Sequence, residues 1–195
     1  NNTWSFTAGG PAVSAGIYPL AGDVVNITGG FNVTANVNAG CVSLTFPSNN
    51  TNNNTLTISG GISLSVSGAI TIPRAGQTGG GGGTSYLNQI AVGAGTLNAG
   101  SIAFTNGGGG TTRHRITITT GTVNVSGDIT TDNTGSSATI TFTGAGTLRV
   151  AGQLMSSGTL GGTLTTFAGS TVEYNGSAAQ TVKTGTYLGN LTLSG

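Results

Sequence analysis

Apolar and polar residues alternate along most of this chain, in short runs broken by glycine. Asp23-Val-Val-Asn-Ile27, Phe31-Asn-Val-Thr-Ala-Asn-Val37 and Val42-Ser-Leu-Thr-Phe46 carry the period-two pattern of half-buried strands. The same pattern returns in Leu56–Ile58, Ile62–Val66, Ile70–Ile72, Ile90–Val92, Leu97 with Ala99, and Ile102–Phe104. Ser48–Asn54 reads as an Asn-rich loop. Residues 73–89, with Gly79–Gly83, and residues 107–115, with Gly107–Gly110, break the alternation and are predicted to leave the scaffold as loops.

The alternation is itself repeated. Ile116-Thr-Ile-Thr-Thr-Gly-Thr-Val-Asn-Val-Ser-Gly-Asp-Ile-Thr-Thr131 is answered 24 residues on by Ile140-Thr-Phe-Thr-Gly-Ala-Gly-Thr-Leu-Arg-Val-Ala-Gly-Gln-Leu-Met155. Units starting at 56, 90, 116, 140, 164 and 191 are separated by 34, 26, 24, 24 and 27 residues. A near-constant length with insertions suits stacked coils, whose extra residues bulge out at a corner. The pattern predicts an all-β fold, a right-handed parallel β-helix of about six to seven rungs over residues 22–195. Residues 1–21, with Trp4, Pro11, Tyr18 and Pro19, fit no rung and read as a cap or assembly segment. Ile116, Ile118, Val123, Val125 and Ile129 should face inward, beneath Ile140, Phe142, Leu148, Val150 and Leu154. Thr117, Thr119, Asn124, Thr141, Thr143 and Arg149 should face out. A hairpin sandwich competes with this reading, but it requires no like residues at like offsets.

Composition narrows the function classes. Charged residues are 5% of the chain, the formal net charge is +1, and 37 of 195 residues are glycine. That balance lacks the basic footprint of a nucleic-acid binder. No apolar run reaches the roughly 18–20 residues of a membrane-spanning helix. Cys41 is the only cysteine and reads as a small buried apolar residue. Eight Asn-X-Ser/Thr sequons, at Asn1, Asn26, Asn32, Asn49, Asn53, Asn124, Asn175 and Asn190, reflect a composition rich in these residues. The chain opens on Asn1 without Met or a signal peptide, as expected after leader removal or in a piece of something longer.

Candidate chemistry is sparse, and no catalytic, cofactor or metal site is expected. Asp23, Asp128, Asp132 and Glu173 are the only carboxylates. Asp128 and Asp132 on one strand face would stand about 13 Å apart, beyond the roughly 5–9.5 Å of paired glycosidase carboxylates. His114, the lone histidine, lies between Arg113 and Arg115 after a glycine run, where an exposed loop is expected. A glycan or small-anion contact is the functional reading of these three residues. Outward Thr117/Thr119 and Thr141/Thr143 would stack like an ice-binding face, but the equivalent positions Thr57/Ser59, Ala91/Gly93 and Thr165/Phe167 interrupt the ladder.

Gly169-Ser-Thr-Val-Glu-Tyr-Asn-Gly-Ser-Ala-Ala-Gln-Thr-Val182 and Tyr187-Leu-Gly-Asn-Leu-Thr-Leu-Ser-Gly195 resemble repeat regions of large secreted, adhesin-like surface proteins of Bacteroidetes and similar bacteria. Gly22–Ile27 and Leu56–Ile72 are similar to earlier units of such regions. The resemblance implies a parallel β-helix in a long extracellular chain at the bacterial surface, with a C-terminal sorting domain not present here and no catalytic motif. A non-enzymatic stalk or filament segment is the expected function; a glycan-binding or carbohydrate-active β-helix and an ice-binding solenoid are the alternatives. Leu191-Thr-Leu-Ser-Gly195 matches Leu56-Thr-Ile-Ser-Gly60 and reads as the opening of a further rung. Leu191, Thr192 and Leu193 are therefore a candidate assembly edge. Its expected partners are further repeats of the same chain or identical subunits end to end, with surface glycans as further partners.

Overall fold

The computed structural model describes residues 18–78, 83–106, 113–132, 137–155 and 161–195. Within them every regular element is a strand, and all strands pair in parallel. One sheet holds six strands: β2 (Asn32–Ala35), β5 (Asn54–Ile58), β7 (Asn88–Val92), β9 (His114–Ile118), β12 (Ala138–Phe142) and β14 (Thr163–Thr165). The other holds ten. These are β1 (Val24–Asn26), β3 (Ala39–Cys41), β4 (Ser43–Thr45), β6 (Ser63–Pro73), β8 (Thr96–Thr105), β10 (Thr122–Val125), β11 (Ile129–Thr131), β13 (Thr147–Val150), β15 (Thr171–Tyr174) and β16 (Asn190–Leu193).

The chain visits the two sheets in turn, laying each strand on its counterpart from the coil before. This is an all-β parallel solenoid. The long strand β6 pairs β3 through its first half and β4 through its second, with a register shift between Val66 and Ala69. Strand β8 does likewise with β10 and β11, so the larger sheet has two limbs joined at a narrow seam.

The predicted stacking holds at every pair. Ile116 lies on Ile140 and Ile118 on Phe142, Val123 on Leu148 and Val125 on Val150, and Ile129 bridges Leu154. All ten are buried in one hydrophobic cluster fed by both sheets. Continuous apolar columns result, such as Val33–Leu56–Ile90–Ile116–Ile140–Leu164. A fully buried Ile or Leu contributes roughly 1.5–3 kcal/mol. The columns therefore supply cohesion without disulfides and with few ion pairs.

Glycine has a steric role at the seam. A Cβ at Gly68 would lie 2.7 Å from the Val42 carbonyl oxygen, at Gly100 2.7 Å from that of Gly68, and at Gly127 2.7 Å from that of Gly100. Gly152 stands equally close to Gly127. Each seam glycine rests on the backbone of the coil beneath. A β-carbon there would force parallel strands beyond their ~4.8 Å spacing.

Three expectations are corrected. Residues 88, 89, 114 and 115 are strand, not loop, because β7 and β9 begin two residues before the first alternating apolar position. Gln180–Val182 forms no strand; the Gln180 side chain instead donates to the Val150 and Gly152 carbonyls. Leu191 does not open a rung either. Strand β16 lies on β15, with Leu191 on Val172 and Leu193 on Tyr174, so it is the second strand of its coil. Alternation looks the same in every face of the coil, so it does not reveal which face a strand occupies. Of residues 1–21, positions 1–17 lie outside the described residues, as do Gly79–Gly82 and Gly107–Gly110 of the two glycine runs.

Candidate functional site

The Arg113–His114–Arg115 stretch is where structure and expectation part. His114 begins β9 with its side chain inward and fully buried. It therefore offers nothing to a glycan or anion at the surface. Period-two alternation explains this: a residue two before the inward Ile116 faces inward too. The same offset holds Asn54 and Asn88, each fully buried, so the inner column reads Asn54–Asn88–His114–Ala138.

These buried polar groups are satisfied, as burial requires. Asn54 Nδ2 donates to Asn88 Oδ1 at 2.8 Å, and its Oδ1 accepts from the Gly30 N–H at 2.7 Å. Asn88 Nδ2 donates to the carbonyls of Pro47 and Pro73 at 2.7 and 2.8 Å. His114 Nδ1 stands 2.9 Å from the Ile72 carbonyl, which fixes that nitrogen as the donor; Nε2 then accepts from Ser137 Oγ at 3.1 Å. Phe104 packs edge-on against the ring at 5.3 Å. Burial lowers the imidazole pKa, helped by Arg74 and opposed by the Ile72 carbonyl and Asp132. Arg113 and Arg115 flank the column and turn to neutral partners, Gln77 and Gln89.

The carboxylates are dispersed. Asp23 Oδ2 accepts from the Leu20 N–H and Asp128 Oδ1 from the Gln153 N–H, so each shapes its own turn. Asp128 and Asp132 lie at opposite ends of β11. Glu173 accepts from Ser194 Oγ at 2.6 Å and pairs with Arg149 at 2.7 Å, and these two contacts hold its carboxyl below the usual range. Among the described residues no three His, Cys, Asp or Glu side chains gather as a metal site. Burial, with Asp23 nearby, pushes the Cys41 thiol up to about 11, as befits a core residue.

Two surfaces remain. The outer face of the six-stranded sheet carries Thr34–Thr57–Ala91–Thr117–Thr141–Thr165 in register, broken at Ala91, and Thr119 meets Thr143 at 3.0 Å. On the larger sheet, a groove runs along the seam from Gly40 past Ser65 and Ser67, Asn98, Asn124 and Ser126 to Asn175. At the end of that sheet lies the predicted edge. Leu191 is 42% and Leu193 69% exposed, although both continue inward-facing columns.

No family model, characterised protein or solved structure matches the chain. The sequence reading missed the polar column and the groove. The column was detectable, since Asn54, Asn88 and His114 share an offset from the repeat starts at 56, 90 and 116. The groove was not, because it depends on the lateral register of coils.

Proposed function

We propose that this chain is a rigid, non-catalytic segment of a secreted bacterial surface protein of the adhesin-like type, serving as a stalk or filament at the cell exterior. The exposed end of the core carries this reading. The columns Leu148–Val172–Leu191 and Val150–Tyr174–Leu193 end with their last members uncovered. Among the described residues, β16 is paired on one side only. Such an edge offers a row of backbone donors and acceptors beside apolar side chains, the requirements for adding another strand. A further coil, from the same chain or an identical subunit, would bury both leucines. The dispersed carboxylates and the buried histidine favour a scaffold over an enzyme.

The test is particle length. Electron microscopy and light scattering across a concentration series should reveal end-to-end growth. Leu191→Lys with Leu193→Lys should abolish it while leaving the melting temperature nearly unchanged, since both side chains are exposed. A chain that stays monomeric at high concentration, with the Leu191–Leu193 amides protected from exchange, would refute the proposal.

A further inference from the structure

We infer that the seam groove on the ten-stranded sheet binds a linear, uncharged polysaccharide lying parallel to the coil axis. The groove encloses about 990 Å³ of solvent-open space, room for an oligomer and not merely one sugar. Cys41, Val66, Ala99, Val125 and Val150 are successive partners in register, and all but Val150 line the groove. With each coil rising ~4.8 Å, this run is about 19 Å long. Each coil thus presents a similar set of groups at a spacing close to the rise per residue of an extended sugar chain. A polymer with its own repeat is the ligand such a surface fits best.

The chemistry of the lining selects the polymer. Ser65, Ser67, Asn98, Asn124, Ser126 and Asn175 supply hydroxyls and amides, and the intervening positions are small and apolar. Amides and hydroxyls both donate and accept, as sugar hydroxyls require. Asn124 Nδ2 donates to Asn98 Oδ1 at 2.9 Å, and Asn98 Nδ2 to Ser63 and Ser65, so the amides are held in place before a ligand arrives. Pre-organisation of this kind removes part of the ordering penalty of binding. Charge argues against an anionic polymer. Arg149, the only cation lining the groove, is already paired with Glu173. The seam positions Ser67, Gly100, Ser126 and Ala151 are small, which keeps the trough open along its length.

This inference stands apart from the stalk proposal, since a rod binds or ignores glycans whatever its length. The full chain should be titrated by calorimetry with soluble xylan, mixed-linkage glucan, mannan and amylose, and with polygalacturonate as the charged contrast. Binding to at least one neutral polymer is expected, changing less than twofold between low and high salt. Its hexasaccharide should bind at least tenfold more tightly than its disaccharide. Ser126→Tyr and Ser67→Tyr, at exposed positions, should each weaken binding tenfold or more, with the melting temperature as the check on folding. Thr141→Tyr on the other sheet should leave binding intact. Absence of binding to every neutral polymer, binding to polygalacturonate alone, or equal loss in Thr141→Tyr would each overturn the assignment.

Discussion

Replacing Gly100 with alanine tests the seam most directly. Gly100 sits within β8, and a Cβ built on it would stand 2.5 Å from the Ser67 carbonyl oxygen, 2.7 Å from that of Gly68 and 3.1 Å from the Gly68 Cα. All three obstacles are backbone, so no rotamer change relieves them. The coils on either side are also fixed, below by the Gly68 N–H to Val42 carbonyl bond at 2.8 Å and above by Ser126 N–H to Ala99 at 3.0 Å. Overpacking against fixed neighbours belongs at the upper end of its usual range, about 3 kcal/mol. For a chain of this size that lowers the melting temperature by about 6–12 °C. Two controls separate crowding from backbone conformation. Gly29→Ala meets no atom within 4 Å, so it should be neutral or stabilising by up to about 1 kcal/mol. Gly61→Ala has equal room but a φ of +72°, where alanine costs roughly 1–2 kcal/mol. Thermal unfolding by circular dichroism gives the ranking, and hydrogen exchange should place the Gly100→Ala loss in β6, β8 and β10. If Gly100→Ala melts with Gly29→Ala, the seam does not set the coil spacing.

Three further outcomes follow from the buried groups. Val125→Asp or Val150→Asp places an unpaired carboxylate in the core and should cost about 3 kcal/mol or more, whereas Thr141→Ala should cost about 0.5 or less; equal melting shifts would contradict the inward and outward assignment. The folded pKa of His114 is depressed, so the unfolded chain takes up a proton first as pH falls through the ordinary value of about 6.5. Stability should then drop by up to about 1.4 kcal/mol per pH unit until the folded pKa is reached; denaturant titrations at stepped pH should show this slope in the native chain and not in His114→Asn. Asn88→Ala strips the Pro47 and Pro73 carbonyls of a shared donor and should cost about 3 kcal/mol by chemical denaturation; a loss below about 1 kcal/mol would mean water replaces the amide.

What was legible in the sequence was whatever depends on neighbours along one strand. Alternation put Ile116, Val125 and Phe142 inside, and the 24-residue offset put Val125 against Val150, because parallel coils of constant length bring like offsets together. What was not legible depends on the face of the coil a strand joins. Leu191-Thr-Leu193 and Leu56-Thr-Ile58 share a pattern yet lie in different sheets. The error at His114 had another source. Its flanking arginines and the preceding glycines argued for solvent, and that local signal outweighed its position two before Ile116. Inside a solenoid a polar residue is tolerated where it meets backbone groups that would otherwise go unpaired, and His114 occupies such a position.

The polar column also explains why coil length varies without disturbing the stack. The described coils return to the six-stranded sheet across one corner, and that corner holds the insertions. The chain leaves the larger sheet at Thr45, Pro73 and Thr105 and re-enters the smaller one at Asn54, Asn88 and His114. Asn88 bonds the Pro47 and Pro73 carbonyls, and His114 bonds that of Ile72, so the column ties strand ends to strand starts across the base of the loops. A loop anchored at its base transmits little of its length to the coil, since closure entropy rises only slowly with the number of residues. Where the return is shorter, from Thr131 to Ala138, the column ends in a buried alanine. The separations of 34 and 26 residues therefore fall where an amide or imidazole holds the corner, and the 24-residue spacing resumes where none is present. The same tie accounts for a histidine in a core with no reaction to perform: it continues the column by one coil, at the price of a stability that declines in acid.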